Sequence, residues 1–233
     1  MNDITRVGID LGKKVFHLTA VDRRGAVVER KQLRRGQLQS YPAGRVVAME
    51  ACASAHHWGR LARSLGHRAM LMSPHKVAPY THRNKTDAND ADGIAEASSR
   101  PRMREVGLKP VERQHLRQLH RARQLAVRDR TAQANQLHGF LLEYGIESQK
   151  GIGALLRRLP EVLEDAGNEL PPMGRALLRD LGAELRHLDG RVKRFEEQIR
   201  LIADADPACR RLLDIPGVGP LTATALVAAV GDA

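Results

Sequence analysis

One stretch constrains this fold more than any other. Arg45 to Cys52 carries Val46, Val47, Ala48 and Met49 in an unbroken apolar run that ends in Glu50. A short run of this kind reads as a strand buried on both faces, as in the middle of an α/β sheet. The neighbouring segments supply the rest of such a sheet. Thr5 to Leu11 is a buried-strand pattern, and Val15 to Asp22 and Ala26 to Leu33 form a hairpin through the tight turn Arg23-Arg24-Gly25. Past the central run, Ser54 is placed to cap a helix through Leu65 that Gly66 ends, and His67 to Met72 is a fifth strand. Ser73-Pro74 then starts a short helix, and Thr86 or Asp87 caps another that runs to about Ser99. The order β-β-β-α-β-α-α predicts a mixed five-stranded sheet with helices.

From Pro110 the strand-type residues thin out, and a helical segment rich in Arg, Gln, Leu and Ala extends to about Tyr144, so a boundary is expected near residues 100–110. Gly145, Gly151 and Gly153 are read as breaking that helix, with Pro160, Pro171 and Pro172 punctuating the segment beyond. Leu178, Leu181, Leu185, Leu188, Val192, Phe195, Ile199 and Ile202 then alternate spacings of three and four, the seam of a coiled coil. Such a seam favours a homo-oligomer. It also fits packing within the chain against residues 113–144, where Ala134, Leu137, Leu141 and Tyr144 continue an apolar stripe. Near the end, Pro216-Gly217-Val218-Gly219-Pro220 is a turn between two apolar helical stretches, of helix-hairpin-helix type, in which Gly217 and Gly219 would offer backbone N–H groups to phosphate. The expected division is an α/β domain over residues 1–105, a helical and coiled-coil region over 106–205, and the beginning of a further domain over 206–233.

Charge narrows the partner. The formal net charge is +11 over 233 residues, which favours a polyanion such as DNA or RNA. Aromatic residues make up 3%, too few for a face of base-stacking platforms, so contact of Arg and Lys with the backbone is the expected mode. Arg113, Arg117 and Arg121 share one helix face in a basic stretch that local sequence answers only with Glu105, Glu112 and Asp129. Lys76, Arg83 and Lys85 lie close to Asp87 and Asp90 and would hold a nucleic-acid strand. The two cysteines, Cys52 and Cys209, lack metal-ligand spacing, which argues against zinc and for a reducing compartment. No signal-peptide pattern and no membrane-length apolar run is present, so the expectation is a cytoplasmic protein with no membrane partner.

Now let the strands form the mixed sheet of a ribonuclease-H-like fold, with the fourth beside the first. Asp10 and Glu50 become neighbours at the carboxyl ends of their strands, the edge at which open α/β sheets place their sites. Asp87 and Asp90 are three apart on a helix and point the same way, while Asp92 is turned off that face. Carboxylates brought together repel unless a cation neutralises them, and hard oxygen donors favour Mg²⁺ or Mn²⁺, the ions of two-metal phosphodiester chemistry.

Three motifs carry a resemblance. Val7-Gly8-Ile9-Asp10-Leu11-Gly12-Lys13, Met49-Glu50-Ala51-Cys52 and Lys85-Thr86-Asp87-Ala88-Asn89-Asp90-Ala91 resemble the DEDD transposases of bacterial insertion sequences of the IS-one-ten type. The turn Ile215-Pro216-Gly217-Val218-Gly219-Pro220 resembles the start of that family's second domain. The resemblance implies a RuvC-like catalytic domain whose acidic tetrad is Asp10, Glu50, Asp87 and Asp90, followed by a coiled-coil bridge. It further implies metal-dependent DNA strand cleavage and exchange, with a structured guide RNA as partner. The family's serine nucleophile lies downstream of the Gly-Pro turn and no serine here matches it, so the chain is expected to end inside that domain. Other readings are a nucleic-acid-binding regulator without catalysis, a junction endonuclease needing only the acids, and an ATP-handling enzyme using Gly8-Ile9-Asp10-Leu11-Gly12; the last lacks a second Gly-rich phosphate loop.

Overall fold

The computed structural model describes residues 4–40, 43–81, 86–147 and 151–230. All five expected runs form strands: β1 (Arg6–Asp10), β2 (Val15–Val21), β3 (Val27–Arg34), β4 (Val46–Glu50) and β5 (Arg68–Met72). β1 lies between β2, to which it is antiparallel, and β4, to which it is parallel; β3 continues the antiparallel side and β5 the parallel side. A sixth strand, β6 (Glu105–Val106), pairs antiparallel with β5 through Leu71↔Val106 and Met72↔Glu105. The sheet therefore has six strands, in the order β3-β2-β1-β4-β5-β6, where five are expected from sequence. Two residues carry no period of their own; the exposed edge of β5 makes them a strand. The mixed sheet, with the fourth strand beside the first, is consistent with a ribonuclease-H-like domain.

The alternation of side chains across β1 and β4 explains their apolar runs. Val7, Ile9, Val47 and Met49 face one side, where Ala55, Trp58 and Ala62 of helix α1 (Ala55–Ser64) close a core with Phe16 and Leu18. On the other side Ala48, Met70 and Met72 pack against Val77 of α2 (Pro74–Val77) and against Ile94 and Ala97 of α3 (Asp87–Ser98). Full burial of side chains such as Ile9, Phe16, Leu18 and Met49 contributes ~1.5–3 kcal/mol each. Of the expected caps, Thr86 accepts a bond from the Asn89 N–H, whereas Ser54 precedes its helix without side-chain capping; Ser73-Pro74 starts α2 as expected.

The remaining helices belong to a second compact unit, Glu112–Ala229. They are α4 (Val111–Glu143), α5 (Ile152–Glu164), α6 (Pro172–Ala205), α7 (Pro207–Leu213) and α8 (Pro220–Val230). Gly153 and Pro160 lie inside α5 and do not break it; Leu155, Leu159 and Val162 keep one buried face through the proline. α4 and α6 run antiparallel, tied by the ion pairs Arg113–Asp206, Arg123–Glu196 and Arg130–Asp189, in which ten and then seven residues forward on α4 match ten and seven back on α6. The α6 seam is filled from within: Leu178 and Leu185 join Ala134, Leu137 and Leu141 of α4 and Leu155, Leu159 and Val162 of α5 in one core. Of the two packings open from sequence, the intrachain one is seen at Leu178 and Leu185. Among the described residues no helix is long and apolar enough to cross a membrane.

Candidate metal centre

The site is built by one strand and the helix laid along it. α3 runs opposite to β1: the Arg6 guanidinium donates to the Ser98 carbonyl at 2.7 Å at one end, and Asp87 approaches Asp10 at the other. Between them, Gly8 lets the helix backbone rest on the sheet, since a Cβ there would stand 2.4 Å from the Ala95 nitrogen and 2.6 Å from the Ala91 carbonyl oxygen. The spacing matches. Two residues along a strand advance about 6.7 Å and four along a helix about 6 Å, so 6, 8 and 10 on β1 meet one row of α3. Asp87, Ala91 and Ala95 lie on that row.

Asp10 has a second neighbour that sequence reasoning misses. β2 pairs His17 with Asp10, and the imidazole Nδ1 stands 3.7 Å from the Asp87 carboxylate. One ligand atom each from Asp10, His17 and Asp87 lies within 4.8 Å of the others. Asp90, on the same first turn of α3, is near enough to act electrostatically on Asp10. Glu50 ends β4 one residue beyond the pair Ile9↔Met49, which puts it beside Asp10 on the sheet edge, half-buried. Burial pushes the Asp10 carboxyl above the usual carboxylate range, and Asp87 and Asp90 push it further, against the opposing pull of His17 and of the Leu11 backbone N–H. An oxygen-rich donor set with an acid driven toward its neutral form fits a divalent cation, which would relieve the repulsion. Asp92, turned off this row as expected, accepts from the buried Thr19 hydroxyl at 2.6 Å and from Arg30 Nε at 3.0 Å, fastening α3 to β2 and β3.

The expected nucleic-acid contacts divide. Lys76 is exposed on α2, and Arg117 and Arg121 are exposed on α4. Arg83 and Lys85 lie outside the described residues. Arg113 is not on an open basic face: its guanidinium holds Asp206 at 2.5 Å, with both side chains 18% exposed. Local sequence hides this because the acids that answer α4, Asp189, Glu196 and Asp206, lie 59 to 93 residues away on or beside α6. Gly217 takes a positive φ of 85° in the α7–α8 turn, and the two helices close on Ala203, Cys209, Ala223 and Val227.

A family model described as "Transposase", for the DEDD type of IS110, matches residues 7–146 and so takes in every acid of the site. Curated relatives match along the whole chain. The "Probable family 20 transposase" of Pseudomonas aeruginosa is 43% identical over 99% of this chain and 70% of its own length. The "Transposase for insertion sequence element IS1328" of Yersinia enterocolitica is 40% identical over 100% of this chain and 70% of its own length. The "Transposase for insertion sequence element IS1111A" of Coxiella burnetii is 39% identical over 100% of this chain and 65% of its own length. The chain thus spans 65–70% of these relatives.

Proposed function

This chain belongs to the DEDD transposases of the IS110 family, and on that premise we propose that its first unit is the metal-dependent centre that cuts and exchanges DNA strands during insertion-sequence transposition. The observation that carries this reading is the approach of the α3 N-terminal turn to the end of β1, where burial first, and then Asp87 and Asp90, push the Asp10 carboxyl up. Asp10, Glu50, Asp87 and Asp90 would hold Mg²⁺ or Mn²⁺, which when bound activates an attacking oxygen and stabilises a leaving one in phosphodiester chemistry. Asp10 and Glu50 anchor this arrangement on adjacent strands. Asp87 and Asp90 bring it the opposite wall from the helix.

Recognition draws on exposed cations of both units. Lys76 in the first unit, and the exposed Arg117 and Arg121 in the second, would neutralise phosphates, and the Gly217–Gly219 turn would offer backbone to one more. These contacts read charge and helical shape rather than base sequence, so each would accept a structured guide RNA as well as DNA. Exchange between two DNA sites calls for more than one copy. The part of the α6 seam that joins the α4–α5 core is filled within the chain, so that assembly uses other surfaces.

The test is incubation with branched or element-end DNA, with and without guide RNA and Mg²⁺, beside Asp10→Ala and Glu50→Ala. Metal-dependent cleavage lost in both variants is the expected result. Metal-independent behaviour unchanged in both would overturn it, and binding that persists in every variant without any cleavage would make the chain a regulator.

A further inference from the structure

A row of three side chains crosses the sheet beside the acidic cluster. Strand register sets Asp10 on β1 opposite His17 on β2, and His17 opposite Gln32 on β3. The two ring nitrogens of His17 meet different neighbours. Nε2 lies 2.9 Å from the Gln32 amide. Nδ1 is buried, makes no hydrogen bond, and looks toward the carboxylates, 3.7 Å from Asp87 Oδ2. A buried nitrogen without a partner forfeits the hydrogen bonds it makes in water, so a strand does not keep one without return. The 3.7 Å separation is long for a hydrogen bond but ordinary for two atoms sharing an ion, because ligands ~2.1 Å from one cation stand about 3 to 4 Å apart.

We propose that His17 Nδ1 is a nitrogen ligand of the centre formed with Asp10 and Asp87, and that it sets the ion taken there, favouring Mn²⁺ over Mg²⁺. This rests on the reading of the acids as a metal site. Imidazole nitrogen strengthens binding of first-row transition ions, whereas Mg²⁺ is served best by oxygen alone. Ligation through Nδ1 requires the proton on Nε2. An amide's oxygen and nitrogen exchange by a half-turn, so Gln32 can accept that proton at the distance found and hold the ring in the ligating tautomer. Gln32 is thus a positioning residue. Neither the acid motifs nor the basic surface assigns a role to either side chain.

The experiment is pulsed electron paramagnetic resonance of Mn²⁺ added to the whole chain, which detects nitrogen bound to the ion. The wild type is expected to show nitrogen modulation, and growth on ¹⁵N-labelled histidine should convert it to the ¹⁵N pattern without any mutation. His17→Asn, which sets an amide near the position of Nδ1, should keep Mn²⁺ but lose the modulation, and its preference for Mn²⁺ over Mg²⁺ should fall about tenfold. Gln32→Ala should keep the modulation and weaken Mn²⁺ binding. Mn²⁺ bound with no nitrogen signal in the wild type, or with the signal unchanged in His17→Asn, overturns the role of His17 and leaves the carboxylate centre standing. Failure of Mn²⁺ to bind at all, or binding unaltered by Asp10→Asn, overturns the centre itself.

Discussion

Gly8→Ala tests the contact on which the site depends. The added methyl would meet the Ala95 nitrogen at 2.4 Å, the Ala91 carbonyl oxygen at 2.6 Å and the Ala95 Cα at 2.8 Å. All three are backbone atoms of one helix, so no side chain can rotate out of the way. Restoring ordinary contact requires α3 to lift from β1 by about 1 Å, in an interior packed too closely to absorb it. Overpacking of this kind costs ~1–3 kcal/mol, and the upper end applies where backbone must yield. The same lift carries Asp87 away from Asp10. Ligand sites tolerate about 0.5 Å of misplacement, so divalent-ion affinity should fall with stability, and turnover by ~100-fold. Trp58 is the only tryptophan of the chain and is buried in the first unit's core, so its fluorescence reports urea unfolding of that unit. Mn²⁺ titration of the same samples reads the site. Gly36→Ala is the control, because its methyl would meet nothing within 4 Å. If Gly8→Ala unfolded at the wild-type urea concentration and bound Mn²⁺ as tightly, the account of α3 resting on β1 at Gly8 would be wrong.

Single contacts elsewhere can be tested in the same way. Asp92→Ala removes the acceptor of the buried Thr19 hydroxyl and of Arg30, and should cost ~1–3 kcal/mol in the Trp58 urea transition; an unchanged midpoint would show that the tie to β2 is idle. Leu185→Ala empties a fully buried position between α4, α5 and α6, costing ~2–5 kcal/mol by far-ultraviolet circular dichroism while leaving the sedimenting mass unchanged; a change of mass would return the seam to an oligomer interface. Asp189 is held below the usual carboxylate range, first by Lys193 and also by Arg130. Its contribution is therefore complete above the unfolded value near pH 4 and is lost as pH falls through the folded one. Asp189→Asn should lower stability by ~1 kcal/mol at pH 7, with the gap to wild type closing below about pH 4; a gap that persisted in acid would mean that the ion pairs are not its source.

The sheet is largely legible from sequence because β1 and β4 are buried on both faces and leave unbroken apolar runs, while the hairpin announces itself at Gly25, which takes the positive φ its turn requires. β6 is not legible, since two residues become a strand only by docking on β5. The α6 seam is visible but its partner is not. A stripe spaced three and four serves a second copy as well as a neighbouring helix, and the ion pairs that tie α6 to α4, such as Arg113–Asp206, lie in no local window. The same pairs consume positive charge that a count along α4 assigns to nucleic acid.

At the site the difference is sharper. Asp10, Glu50, Asp87 and Asp90 each sit in a recognisable run, whereas His17 is one polar residue in a strand and gains meaning only through the register that sets it beside Asp10. The acids are also unequal in what supports them. Asp87 and Asp90 occupy the first turn of α3, where the helix macrodipole favours an anion by ~0.3–1 kcal/mol. Asp10 sits at a strand end, with one backbone N–H and the imidazole as its lowering influences against burial and two negative neighbours. Asp10 therefore carries a burial cost to which Asp87 and Asp90 add repulsion, and a cation placed there would relieve it. That is a physical reason for the helix to bring two of the acids: its dipole steadies their charge, while the strand supplies the acid that a divalent ion would relieve most directly.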